Sequence, residues 1–127
     1  MRIERYSWLG IRTKDFGSAV DFFENILDLP LKGRTEGFAA FQLASGQLIE
    51  VFDAREAWRD FMTCPVIAFE VDDVNDAKRE LEEKGVEFLT DVKTWSDGAQ
   101  SAYFRGPEGH AFEVWRPATT RPNARDL

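Results

Sequence analysis

Cysteine is almost missing from this 127-residue chain, and the lone Cys64 leaves no partner for an internal disulfide and no sign of an oxidising compartment. Cys64 also precedes Pro65 in a connecting stretch with no base beside it, so it reads as a packed thiol and nucleophilic catalysis finds no support. Histidine is equally scarce, with only His110. No Cys/His cluster and no glycine-rich loop of the kind that cradles phosphate is present. No apolar run approaches the roughly 20 residues of a membrane-spanning helix. The start, Met1 to Tyr6, lacks the apolar centre of a secretory signal. A cytoplasmic protein with no membrane partner is expected. Basic residues are outnumbered, 16 Lys and Arg against 23 Asp and Glu, for a net charge of −7. That balance excludes a general nucleic-acid or anionic-membrane role, since both need a basic surface. Most of the surplus carboxylate reads as solubilising surface.

What the chain has is a repeated phrase. Gly46-Gln47-Leu48-Ile49-Glu50-Val51 and Gly109-His110-Ala111-Phe112-Glu113-Val114 share one pattern, and each sets a single glutamate inside an apolar run. Around them the elements recur. Strands are expected over 6–13, 31–34, 38–43 and 47–52, with a helix after Asp15 whose apolar stripe is Ala19, Val20, Phe22, Phe23, Ile26 and Leu27. The pattern restarts with strands over 66–71, 86–89, 100–105 and 111–115 and a helix over 74–84, striped by Val74, Ala77 and Leu81 and ended by Gly85. Aligning Asp15 with Asp73 superposes Trp8 on Val66, Gly10 on Ala68, Ile11 on Phe69, Ala19 on Ala77 and Phe23 on Leu81. The expected fold class is α+β: two tandem β-α-β-β-β modules, 5–53 and 65–117, whose curled sheets surround a cavity. A link, 54–64, joins them. Trp58, Phe61 and Met62 make the link too apolar for a free tether, so a short helix or lid edge is expected there. The tail 118–127 has no period and reads as irregular.

Side chains alternate along a strand. Ile49 and Val51, and likewise Phe112 and Val114, supply the faces for the two helices, which puts Glu50 and Glu113 on the opposite, concave face. An ionised carboxylate buried there without a metal, cation, ligand or water costs several kcal/mol, so the pair is the candidate site. The bland alternative is that one or both lie at a wet sheet edge and only keep the strands soluble. Trp8, Phe52 and Trp115 share the carboxylate face, with Tyr103 and Trp95 at its rim, and Arg12 is the nearest counter-ion. Each aromatic could equally be core. His110 is out of phase with Glu113 and reads as a turn residue.

The opening Trp8-Leu9-Gly10-Ile11-Arg12-Thr13-Lys14-Asp15, the aromatic pair Phe22-Phe23 closed by Leu27-Asp28-Leu29, and the ending Gly106-Pro107-Glu108-Gly109-His110-Ala111-Phe112-Glu113-Val114 together resemble the vicinal oxygen chelate superfamily. This is the group of glyoxalase I, bleomycin- and fosfomycin-resistance proteins and extradiol dioxygenases. The resemblance runs over about 5–117. It implies four cavity-facing metal-ligand positions, which fall on Trp8, Glu50, Val66 and Glu113. Indole and isopropyl groups cannot ligate a divalent cation, so no metal cofactor is expected; a divalent metal, if held, would fall to Glu50 and Glu113. The leading expectation is a protein that binds a small organic molecule in an aromatic, acidic cavity, with Trp8, Arg12, Phe52, Val66, Tyr103 and Trp115 as ligand-binding residues. The alternative is a lyase, isomerase or dioxygenase-type enzyme using Glu50 and Glu113 as ligands or as acid and base. A third reading is an interaction module with a vestigial cavity. The resemblance also implies a homodimer.

Overall fold

The computed structural model describes residues 1–55, 60–63 and 65–118. Trp58, Cys64 and the tail beyond 118 lie outside the described residues. The fold is α+β, mostly sheet with few helices, and divides into two compact units, Trp8–Val66 and Met1–Ser7 with Ile67–Leu127. The division falls inside the first strand, β1 (Ile3–Thr13).

In the Trp8–Val66 unit, β1 pairs in parallel with β4 (Leu48–Asp53), β4 pairs antiparallel with β3 (Phe38–Gln42), and β3 with β2 (Leu31–Thr35). Between β1 and β2 lies helix α1 (Phe16–Asp21), begun by the Asp15 carboxylate, which accepts from the Ser18 amide at 3.1 Å. The core packs Val20 of α1 against Ala39, Phe41 and Val51, with Phe16, Ala19, Phe23 and Ile49 around them. The expected helix stripe is only half right. Phe22, Ile26 and Leu27 are exposed. The chain widens into a π turn over Phe22–Ile26, closed by the Leu27 amide on the Phe22 carbonyl at 3.0 Å. The wider turn rotates these side chains off the line set by Phe16, Val20 and Phe23. A stripe of six apolar positions in nine is also broader than one sheet can cover.

The other unit repeats the plan. β5 (Val66–Val71) pairs in parallel with β8 (Ala111–Arg116), β8 antiparallel with β7 (Gln100–Arg105), and β7 with the two-residue β6 (Lys93–Thr94). Helix α2 (Val74–Glu83) is capped by Asp73, whose carboxylate accepts from Asp76 at 2.9 Å. It ends at Gly85, φ 89°, where the Gly85 and Val86 amides reach the Glu82 and Leu81 carbonyls. Val74 and Ala77 of α2 pack on Val71, Ala102 and Val114.

The strand expected over 86–89 is corrected. Only Phe88 bridges to Phe104 there, and the second strand of the module is β6, further along. Thr90 explains the break: its hydroxyl accepts the Tyr103 amide at 3.0 Å, so a side chain takes the place of a ladder carbonyl and the strand splits around it.

Candidate functional site

Both glutamates occupy the same place in their units. Glu50 lies in register with Gly10 of β1 and Ala40 of β3. Glu113 lies in register with Ala68 of β5 and Tyr103 of β7. Gly10 and Ala68 are the residues that superpose when Asp15 is set on Asp73, so the strand registers reproduce the internal repeat. Alternation puts each glutamate opposite a helix-facing valine, Val51 or Val114. Their surroundings then diverge. Glu50 is half-buried, whereas Glu113 is only 2% exposed.

Around Glu50 the sheet face is built from small residues and rings. Gly10 and Ala40 flank it. The rings of Trp8 and Phe52, both buried, meet edge-on with centroids 5.9 Å apart, and Phe38 joins Phe52 at 5.5 Å. The benzo edge of Trp8 passes over Gly10: a Cβ on that glycine would lie 2.4 Å from Trp8 Cζ3 and 3.1 Å from Phe52 Cε2. Val66, the counterpart of Trp8, is 0% exposed.

Arg12 reaches away along the link. Its Nη2 donates to the Ala54 carbonyl at 2.6 Å and to Asp60 Oδ1 at 2.8 Å. A second anchor stands beside it at the end of β4. Buried Asp53 accepts from the Arg55 amide at 3.0 Å and from Arg55 Nη2 at 2.5 Å. The Arg55 side-chain bonds, and then its amide, hold the Asp53 carboxyl below the ordinary carboxylate range. Of the link residues expected to pack, Met62 is buried and Phe61 half-buried.

In the second unit Tyr103 is buried in register with Glu113, and half-buried Trp115 stands opposite Ser101. Trp95 donates from Nε1 to the Ser101 hydroxyl at 2.8 Å and carries the Lys93 ammonium over its ring at 3.7 Å. His110 sits at the turn, 3.8 Å from the Glu108 carboxylate, as its phase indicates. Sequence reasoning passed over Gly10, Ala40 and Phe38 as parts of the site. A glycine in mid-strand was the available signal, since it marks a close approach.

The donor positions do not suit a metal. Trp8 and Val66 offer no ligand atom. Among the described residues no group of three or more His, Cys, Asp or Glu side chains is placed to hold an ion.

No curated protein matches the chain in sequence. Solved structures do match in fold. A hypothetical protein from Bacillus halodurans C-125 superposes with a TM-score of 0.73 at 20% identity, covering 94% of this chain and 98% of its own. The Mn(II)-bound glyoxalase from Novosphingobium aromaticivorans gives 0.73 at 20% identity, over 92% of this chain but 40% of that longer one. A Streptomyces coelicolor methylmalonyl-CoA epimerase gives 0.68 at 20% identity, over 93% of this chain and 100% of the other. At such identities the likeness concerns the fold. The model of the Glyoxalase/Bleomycin resistance protein/Dioxygenase superfamily matches residues 5–114. With that match across both repeats, the chain belongs to the glyoxalase/bleomycin resistance protein/dioxygenase superfamily.

Proposed function

We propose that the protein binds a small, planar, cationic or amphipathic organic molecule on the Glu50 face, without a metal. The observation that carries this reading is the setting of Glu50: a half-buried carboxylate between Gly10 and Ala40, on the same sheet face as the rings of Trp8, Phe52 and Phe38. Ala40 puts only a methyl group on one side of the carboxylate, while the Trp8 edge takes the space over Gly10 on the other. Aromatic rings attract flat and cationic groups through stacking and cation–π contact. Apolar walls with few fixed polar groups are the usual make-up of a small-molecule site.

The test is a thermal-shift screen of planar cations against the wild-type protein and Glu50→Gln. A hit should weaken by about tenfold or more in the variant, the scale of a hydrogen bond to a charged group. A ligand bound equally well by both proteins would remove Glu50 from the site. Absence of any hit among planar cations would sink the ligand class.

An enzymatic form of the site is the second reading, favoured by the near-complete burial of Glu113, 2% exposed, at the place equivalent to Glu50. A carboxylate shielded from water suits proton transfer in lyase or isomerase chemistry. Its mark would be a substrate whose turnover falls at least 100-fold in Glu113→Gln, about the lower bound for a general acid or base. The homodimer is part of the same proposal. Light scattering should give about twice the 14.6 kDa chain mass.

A further inference from the structure

We propose that Trp8 is a built-in occupant: its indole fills the room beside Glu50 that a donor side chain and its ion would need, and Gly10 is the residue that makes this possible. This deepens the metal-free part of the proposed function and rests on it. Three observations converge within the Trp8–Val66 unit. First, Trp8 is not a loose surface ring. It is 6% exposed and packed edge-on against Phe52, itself 1% exposed. Second, the ring lies where the next inward-facing side chain of β1 would stand. Residue 10 follows residue 8 on the same face, and a Cβ there would come within 2.4 Å of Trp8 Cζ3, a separation that non-bonded carbons do not adopt. The two residues therefore work as a unit, a large ring that needs its neighbour to have no side chain. Third, residue 10 is the register partner of Glu50, so the indole edge lies over the backbone position paired with Glu50. Val66, the repeat counterpart of Trp8, is fully buried and carries no donor, so neither of the two equivalent positions offers a ligand atom.

The consequence is specific. The β1 position supplies not a ligand but a fixed aromatic wall, which sets how large a molecule can lie against Glu50. Changing Trp8 should alter size tolerance without abolishing the charge preference that Glu50 provides.

The test begins with the wild-type protein and needs no variant to fold. It is titrated with Mn(II), Ni(II) and Zn(II) while melting is followed. No shift is expected. A rise of several degrees that is lost in Glu50→Gln would overturn the proposal, because it would show an ion seated where the indole is. The second arm uses Trp8→Ala, with free indole as the probe. Indole should raise the melting temperature of this variant by several degrees near saturation and leave the wild type unmoved. Failure of indole to bind a folded Trp8→Ala protein would overturn the idea that the ring fills a defined room. The outcomes separate this inference from the broader one. If planar cations fail to bind while metals also fail and indole rescues Trp8→Ala, only the proposed ligand class falls.

Discussion

Gly10 shows how one missing side chain can decide the chemistry of a neighbour. Its absent Cβ is the space that the Trp8 ring uses, so Gly10→Ala must push the indole out or bend β1. Overpacking of this kind costs about 1–3 kcal/mol. Urea denaturation should show that loss, and near-UV circular dichroism should show a changed Trp8 environment. An unchanged stability and spectrum would mean that the ring has other room. Asp28 makes the opposite case. Its φ of 56° lies in the left-handed region, which Asp tolerates better than most residues. Glycine should be accepted there within about 1 kcal/mol, whereas Asp28→Val, β-branched at positive φ, should lose more than that. Equal melting temperatures for the two variants would remove the strain argument.

Elements differ in how far their sequence reveals them. Strand 66–71 and the strand 100–105 were legible to the residue, because apolar β-formers run between clear stops. The helix start at Asp15 was legible too, since Asp15 precedes an apolar period and carries a short acceptor; Asp73, read only as the stop of its strand, caps α2 in the same way. The placement of the glutamates on the face opposite the helix-packed Val51 and Val114 followed from alternation alone. The π turn at Phe22–Ile26 was not legible, since its residues keep an apolar spacing that a regular helix would bury. Nor was the split strand before β7, which depends on one Thr90 hydroxyl entering the ladder. At the site, Glu50 and Glu113 stood out as charges in apolar runs, and Gly10 as a glycine in mid-strand, while Ala40 gains meaning only from a register set by long-range pairing. The helix turn gives a direct check. Phe41 is 0% exposed and Phe22 44% exposed. Phe41→Ala should cost about 3–5 kcal/mol, whereas Phe22→Ser should stay within about 0.5 kcal/mol of wild type. Comparable losses would place Phe22 back in the core.

At the scale of the whole molecule, acid should be the condition that undoes the fold. The Asp15 carboxyl is held below its usual range first by the Ser18 amide and then by the Ser18 hydroxyl, and Asp53 by Arg55. The unfolded chain therefore takes up protons at a higher pH than the folded one. The stability these groups contribute is complete above about pH 5, where unfolded carboxyls are ionised, and is lost as the pH falls through and below about 4. Calorimetry from pH 7 to pH 3 should show a falling melting temperature. In Arg55→Ala the drop between those limits should be smaller, because Asp53 then titrates more nearly alike in both states. An identical pH profile for the variant would separate Asp53 from acid unfolding. The net charge of −7 makes the same range the one where solubility is poorest, near the sequence pI of about 4.7.

The boundary between the two compact units has a consequence for how the chain is made. Trp8–Val66 is a contiguous stretch, while its companion joins Met1–Ser7 to residues beyond Ile67. A ribosome delivers the contiguous stretch whole before the last strands of the other exist. Synthesis thus completes that unit while the first seven residues still wait for the stretch from Ile67 onward to which they belong. Delivery in that order favours folding of the contiguous unit first, in a protein whose two halves are built on the same plan.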